Sequence, residues 1–257
     1  WLEARGADVI IAQGLEAGGH RGHFLSHDLT EQLGLFALVP QVVAAVKVPV
    51  VAAGGIASAA CVRAALALGA SGVQAGTAFL RTPEADTSAL HRAALASDDA
   101  RHTALTNLFT GRPARGIVNR FLREHGPMSE LAPAFPLATA ASGPLRAAAE
   151  KRGSPDFSAL WSGQNASGAR PVPAAEIVRG LAAGWPRPVL AHEAPGLGQP
   201  LERLVHCSGR ELLLLGRLDD GGPPRPPIRR RKAFDLRHEH PVVALLCAIL
   251  LGAGEPL

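Results

Sequence analysis

The sequence predicts an α/β fold built on a parallel sheet, and three observations predict it. Val9-Ile10-Ile11-Ala12, Val48-Pro49-Val50-Val51-Ala52-Ala53 and Gly72-Val73-Gln74-Ala75 are short, near-continuous apolar runs, the pattern of strands covered on both faces. Segments with helical apolar spacing lie between them. Each run also delivers glycine at its C-terminal end, as Gly14, Gly54-Gly55 and Gly76.

Taken in order, the first strand runs into a glycine-rich loop from Gly14 to Gly22. Leu35 to Val46 carries apolar residues at helical spacing and stops before Pro49. After the second strand, Ser58 can cap a helix over Ala59 to Leu68 that Gly69 closes. Beyond the third strand, residues 81–185 read as mostly helical with loops. The helix candidates there are Ala85 to Ala96, Pro144 to Arg152 (entered through Ser142 and Gly143) and Pro173 to Ala183. After Trp185 the texture changes to Pro, Gly and Arg, with Leu212 to Leu215 a possible strand and Val242 to Leu251 a short helix. We therefore divide the chain into 1–185 and a tail, 186–257, of no evident role and open to disorder.

Composition narrows the function. With 257 residues and 47% hydrophobic content the chain has length for one large domain or two small ones, and wholesale disorder is disfavoured. No Tyr is present and aromatics make up 4%, which disfavours a tyrosine-centred site or a stacking platform for single-stranded nucleic acid. The net charge of +4 owes much to the run Arg229-Arg230-Arg231-Lys232, which reads as a solvated stretch, so no nucleic-acid partner is expected. Cys61, Cys207 and Cys247 lie far apart and make neither a disulfide framework nor a zinc site, consistent with a reducing, cytoplasmic setting. The apolar segment Pro241 to Gly252 falls short of the roughly 20 residues a membrane span needs. The chain opens at Trp1 rather than Met, from which we expect a fragment.

The chemistry is expected at the strand ends. Ala52-Ala53-Gly54-Gly55-Ile56 and Gln74-Ala75-Gly76-Thr77 are two glycine loops on neighbouring strands, where backbone N–H groups can approach a phosphate and Thr77 can add a hydroxyl. The same glycines would also serve merely to shape the turns. In Gln13-Gly14-Leu15-Glu16-Ala17-Gly18-Gly19-His20-Arg21-Gly22, a histidine among small residues is open to a ligand and suited to proton transfer. A loop histidine capping a carbonyl is the plainer alternative. Glu16 reads as an anchor for the loop rather than a base, and Cys61 as a core residue. His20, His23 and His27 have no Cys or carboxylate pair beside them, and no metal site is expected.

These loops, together with Ala78-Phe79, Phe109-Thr110-Gly111-Arg112-Pro113-Ala114-Arg115-Gly116 and Leu160-Trp161-Ser162-Gly163-Gln164, resemble the nitronate monooxygenases, formerly called 2-nitropropane dioxygenases. Five motifs in order carry the resemblance, which covers residues 1 to about 185. It implies an FMN-binding TIM (β/α)8 barrel present only as its C-terminal part, with about five of eight strands absent, plus a helical segment and an unmatched tail. It further implies His20 as the catalytic histidine. Gln13, Gly18, Gly55, Gln74, Ala75, Gly76 and Thr77 are implied as FMN contacts.

The implied reaction is oxidation of an alkyl nitronate, or of a nitroalkane, with O2 to a carbonyl compound and nitrite, and no membrane partner is expected. Two rival readings remain. One is a related FMN-dependent NADH reductase, such as the trans-2-enoyl-ACP reductases that share the Glu-Ala-Gly-Gly-His loop. The other is a non-catalytic fragment. Lacking several strands, the chain is expected to bind FMN weakly or not at all.

Overall fold

The structure is a computed structural model that describes residues 1–26 and 28–185 and the backbone of 204–208 and 211–215. Its strands form two sheets. In the first, β1 (Ile10–Gln13), β3 (Val50–Ala53) and β4 (Gly72–Ala75) run parallel, with Ala12 beside Ala52 and Ala52 beside Val73. β8 (Glu211–Leu215) and β7 (Leu204–Ser208) extend this sheet antiparallel beyond β4, giving the order β1-β3-β4-β8-β7. The expected strand at 212–215 is therefore present, while the expected helix at 242–251 lies outside the described residues.

The parallel strands follow from their composition. All four residues of β3 are buried, and Val50, Val51 and Val73 are β-branched side chains that pack well on a pleated surface. Two helices return the chain between them, α1 (Leu35–Ala45) and α2 (Ala59–Ala67). Ser58 caps α2 as expected, its hydroxyl accepting from the Cys61 N–H. α6 (Ala174–Ala182) packs beside α2, so Val39, Val62, Val73, Ile177 and Leu181 share one core with the strands. Burying each such side chain is worth roughly 1.5–3 kcal/mol. Cys61 is only half-buried and packs at the margin of this core rather than inside it.

The second sheet departs from the expectation of helices and loops over 81–185. β2 (Gly19–His20), β5 (Thr103–Thr106) and β6 (Ala114–Ile117) form an antiparallel sheet in the order β2-β6-β5. β6 interrupts its apolar pattern with Arg115 and Gly116, and β2 is two residues long, so neither shows a strand periodicity. Arg115 is tolerated because its buried guanidinium is hydrogen-bonded: it donates to the Leu15 carbonyl at 3.0 Å and to Thr103 at 3.2 and 3.3 Å. Gly116 admits the 160–161 segment alongside, where a Cβ would lie 2.9 Å from the Leu160 carbonyl oxygen.

Helix boundaries also differ from expectation. α3 (Ala89–Ala96) starts at Ala89 rather than Ala85, because Ser88 supplies the cap and Thr82 to Ala85 is held as a turn. α4 (Arg120–His125), capped by Asn119, was not anticipated. α5 (Leu137–Glu150) begins seven residues before Pro144, which sits inside the helix instead of opening it.

Candidate functional site

The C-terminal ends of β1, β3 and β4 open on one cavity of about 470 Å3. Gln13, Gly18, Gly55, Gln74, Ala75, Gly76 and Thr77, the seven residues singled out from the sequence as cofactor contacts, all line it. That convergence follows from topology. The three strands are parallel neighbours in register, so the loops leaving them emerge on one side. Gly55 takes φ +66° and Gly54 φ +129°, left-handed conformations that glycine adopts without strain, and the turn after β3 depends on them.

The end of the Leu160-Trp161-Ser162-Gly163-Gln164 motif, together with Asn165 outside it, holds the three loops together. Within Trp161-Ser162-Gly163-Gln164-Asn165, the Gly163 N–H donates to Thr77 Oγ1 at 2.9 Å. The Gln164 N–H donates to the Glu16 carbonyl at 3.0 Å, and Asn165 Nδ2 donates to the Gly55 carbonyl at 3.0 Å. Trp161, Gly163 and Asn165 also line the cavity. Gly18 presses against this segment so closely that a Cβ would fall 2.5 Å from the Gly163 nitrogen. Asp86, Ser88 and His91 from the start of α3 complete one wall, and no sequence signal had marked them.

The loop carrying His20 is fixed from beneath. Arg21, 3% exposed, donates to the carbonyls of Gly14 at 2.9 Å, Ala17 at 3.2 Å and Gln13 at 3.3 Å, and to Gln32 Oε1 at 2.6 Å. Burial, with Arg115 nearby, lowers its pKa to about 10, and Glu16 partly opposes the shift. Glu16 acts as the anchor expected of it: its carboxylate accepts the Leu35 N–H at the start of α1, at 2.9 and 3.2 Å. Gln13 uses both ends of its carboxamide within the loop, donating to the His20 carbonyl at 3.0 Å and accepting the Gly22 N–H at 2.7 Å.

His20 lies on β2, paired with Ala114 of β6, so the turn between β5 and β6 faces its ring. Among the described residues its ring caps no carbonyl. Nε2 instead meets Thr110 Oγ1 at 2.9 Å, and the ring lies against Trp161 at 5.5 Å and Phe135 at 6.2 Å between centroids. Although part of the residue is open to solvent, its ring is desolvated enough to lower its pKa, and the positive charge of Arg112 lowers it further. Arg112 is itself held in place, 4.4 Å above the Phe24 ring and donating to the Arg21 carbonyl at 3.2 Å.

His23 Nε2 is buried 3.8 Å from the Glu31 carboxylate, beyond hydrogen-bond distance, and His27 lies outside the described residues. Among the described residues no group of three or more His, Cys, Asp or Glu side chains is placed to hold a metal ion.

A cavity whose glycine loops stand at the ends of parallel strands, with a histidine loop on its flank, is where α/β proteins commonly place a small-molecule site. The sequence profile of the nitronate monooxygenase family matches residues 1–184, and the chain belongs to that family. It is 48% identical over 181 residues to a nitronate monooxygenase of Pseudomonas aeruginosa, covering 70% of this chain and 52% of that protein. It is 43% identical over 181 residues to one of Paraburkholderia phytofirmans, covering 70% and 50%. Among solved structures, the nitroalkane oxidase of Streptomyces ansochromogenes matches with TM-score 0.66 and 49% identity, over 71% of this chain and 53% of that one. FabK of Thermotoga maritima matches with TM-score 0.56 and 30% identity, over 71% and 56%. The chain thus spans about half the length of the relatives it matches.

Proposed function

We propose that this chain carries the flavin-phosphate and proton-transfer side of an FMN-dependent nitronate monooxygenase, and that β1, β3 and β4 are an arc of its (β/α)8 barrel. The observation that carries this is the convergence of three glycine-bearing strand ends on one cavity whose wall includes Gly18 and Gly19, with His20 next in the chain but outside the lining, in a chain belonging to the family. The cavity volume falls within the roughly 300–1,000 Å3 usual for small-molecule and cofactor sites. Gly55 lines the cavity in a left-handed conformation, and Thr77 accepts the Gly163 N–H, leaving its hydroxyl hydrogen for an anion. These features fit a phosphate.

When bound, FMN supplies the electron-accepting ring through which a nitronate and O2 give a carbonyl compound and nitrite. This chain's residues do the rest. Gly55, Gly76 and Thr77 would hold the phosphate, with Gln74, Ala75, Gln13 and Gly18 as the further contacts with the cofactor. His20, kept neutral near pH 7 by burial and Arg112, accepts the α-proton of a neutral nitroalkane or positions a nitronate. Substrates are small molecules, the working compartment is the cytoplasm, and residues 186–257 are a tail of unassigned role. Among the described residues no helix is long and apolar enough to cross a membrane.

The test is made on the chain extended to the full length of its relatives. Nitrite release coupled to O2 uptake on an alkyl nitronate is expected, without NADH. Rapid anaerobic bleaching of the flavin by NADH, with no nitrite formed from nitronate, would assign the protein to the reductases instead.

A further inference from the structure

Thr110 has a hydrogen-bond count that depends on the state of His20. Its Oγ1 accepts the Arg112 N–H at 3.3 Å, lies 3.2 Å from the Arg112 carbonyl as a donor, and lies 2.9 Å from His20 Nε2. A hydroxyl has one hydrogen and two lone pairs. All three contacts are satisfied together in only one way: the hydroxyl donates to the Arg112 carbonyl and accepts from both Arg112 N–H and a protonated His20 Nε2. If Nε2 were bare, the single hydroxyl hydrogen would have to turn toward it and the Arg112 carbonyl contact would be lost.

We propose that Thr110 is the positioning residue of this site, holding neutral His20 as its Nε2–H tautomer so that Nδ1 is the atom that accepts the substrate proton. The proposal rests on His20 serving as the base. Two aromatic contacts support it by fixing the ring plane, since Trp161 and Phe135 touch the imidazole at 56° and 79° to it. Trp161 is in turn held through its carbonyl, 3.0 Å from His91 Nε2. With the plane fixed and Nε2 committed to Thr110, Nδ1 carries the free lone pair.

The step balances. The α-carbon–hydrogen bond of the nitroalkane breaks as an N–H bond forms from the Nδ1 lone pair. The electron pair left on carbon passes into the nitro group to give the nitronate. The resulting imidazolium keeps its Nε2–H on Thr110, and a hydrogen bond from a cation is stronger than one from the neutral ring. Thr110 therefore stabilises the product of proton transfer more than its starting state.

The experiment has two arms. In the first, the 257-residue chain is labelled with 15N-histidine, the His20 signals are identified as those lost in His20→Asn, and the tautomer is read at a pH where the ring is neutral. The expected result is an Nε2–H ring, shifted toward a mixture in Thr110→Val and restored in Thr110→Ser. A predominantly Nδ1–H ring, or one unmoved by Thr110→Val, overturns the assignment. This arm needs neither substrate nor flavin, so a misfolded variant still leaves the unsubstituted chain to decide it.

In the second arm, using the full-length flavin-loaded protein, Thr110→Val should lower kcat for a neutral nitroalkane about 10- to 100-fold, the worth of one hydrogen bond to a charged group. KM should change little, turnover of a pre-formed nitronate should fall much less, and Thr110→Ser should recover most of the loss. Equal losses on both substrates would overturn a role in proton transfer. Wild-type turnover of the neutral nitroalkane by His20→Asn would instead show that His20 is not the base, a failure separate from the tautomer result.

Discussion

Gln13 reaches seven residues along the chain to hold His20: its amide nitrogen donates to the His20 carbonyl at 3.0 Å while its oxygen accepts the Gly22 N–H at 2.7 Å. One side chain thereby closes the loop from β1 to β2 and sets the backbone on which the imidazole stands. Gln13 also lines the cavity, so a place in its wall and a loop staple coexist in one residue.

The two roles separate in the protein without flavin. Gln13→Leu removes both hydrogen bonds and should destabilise the chain by about 1–2 kcal/mol, read as a lower denaturation midpoint. Hydrogen exchange at the Gly22 amide should accelerate. If Gln13 served only the flavin, stability and exchange in its absence would be unchanged.

Gly18 and Gly55 should respond differently to a methyl group. At Gly18 the added Cβ would collide with the Ser162–Gly163 backbone, so Gly18→Ala should cost about 1–3 kcal/mol and loosen the junction of all three loops. At Gly55 the nearest atom is Glu16 Cβ at 3.5 Å, an ordinary contact, and the penalty is the left-handed backbone at φ +66°, about 1–2 kcal/mol. Thermal denaturation of the two variants measures the stability costs. In the full-length protein, Gly55→Val and Gly76→Val should both lose FMN on desalting, which absorbance of the eluted protein measures.

Phosphate recognition has its own signature. If the loops after β3 and β4 hold the phosphate, FMN should survive gel filtration with the full-length protein while riboflavin, lacking that group, is stripped away. Equal retention of the two would remove the cradle from the account.

Much of what surrounds the cavity is legible in the sequence. β-branched runs ending in glycine reveal parallel strands because a doubly covered strand needs no polar alternation, and Ser58 and Glu16 declared their roles through chemistry that acts locally. The β2-β6-β5 sheet was not legible. His20 and Gly19 become a strand only because Ala114 and Arg115 lie beside them, a pairing across some 95 residues that local pattern does not encode. The stitching by Gly163, Gln164 and Asn165 was hidden for the same reason, since their partners are backbone groups and a hydroxyl far away in sequence. Pro144 misled because it opens helices more often than it interrupts them.

Arg112 should set where the acidic limb of the pH profile falls. Burial and the Arg112 charge both disfavour the imidazolium, so the His20 pKa lies below its ordinary 6.5 and the base stays available below that pH. Arg112→Gln removes one of the two causes. The pKa should rise, and the limb of kcat/KM for a neutral nitroalkane should move to higher pH while burial still holds it down. A limb that moved to lower pH would contradict the assignment of Arg112.

The central claim is that His20 is the proton acceptor, and one comparison of substrates on one variant tests it most directly. In the full-length, flavin-loaded protein, His20→Asn should slow turnover of a neutral nitroalkane by roughly 10²–10⁴-fold, the usual worth of general acid–base catalysis. Oxidation of the corresponding pre-formed nitronate, which has already lost its α-proton, should fall far less, and FMN content should hardly change. Small, equal losses on both substrates would contradict the account by making His20 a structural member of its loop.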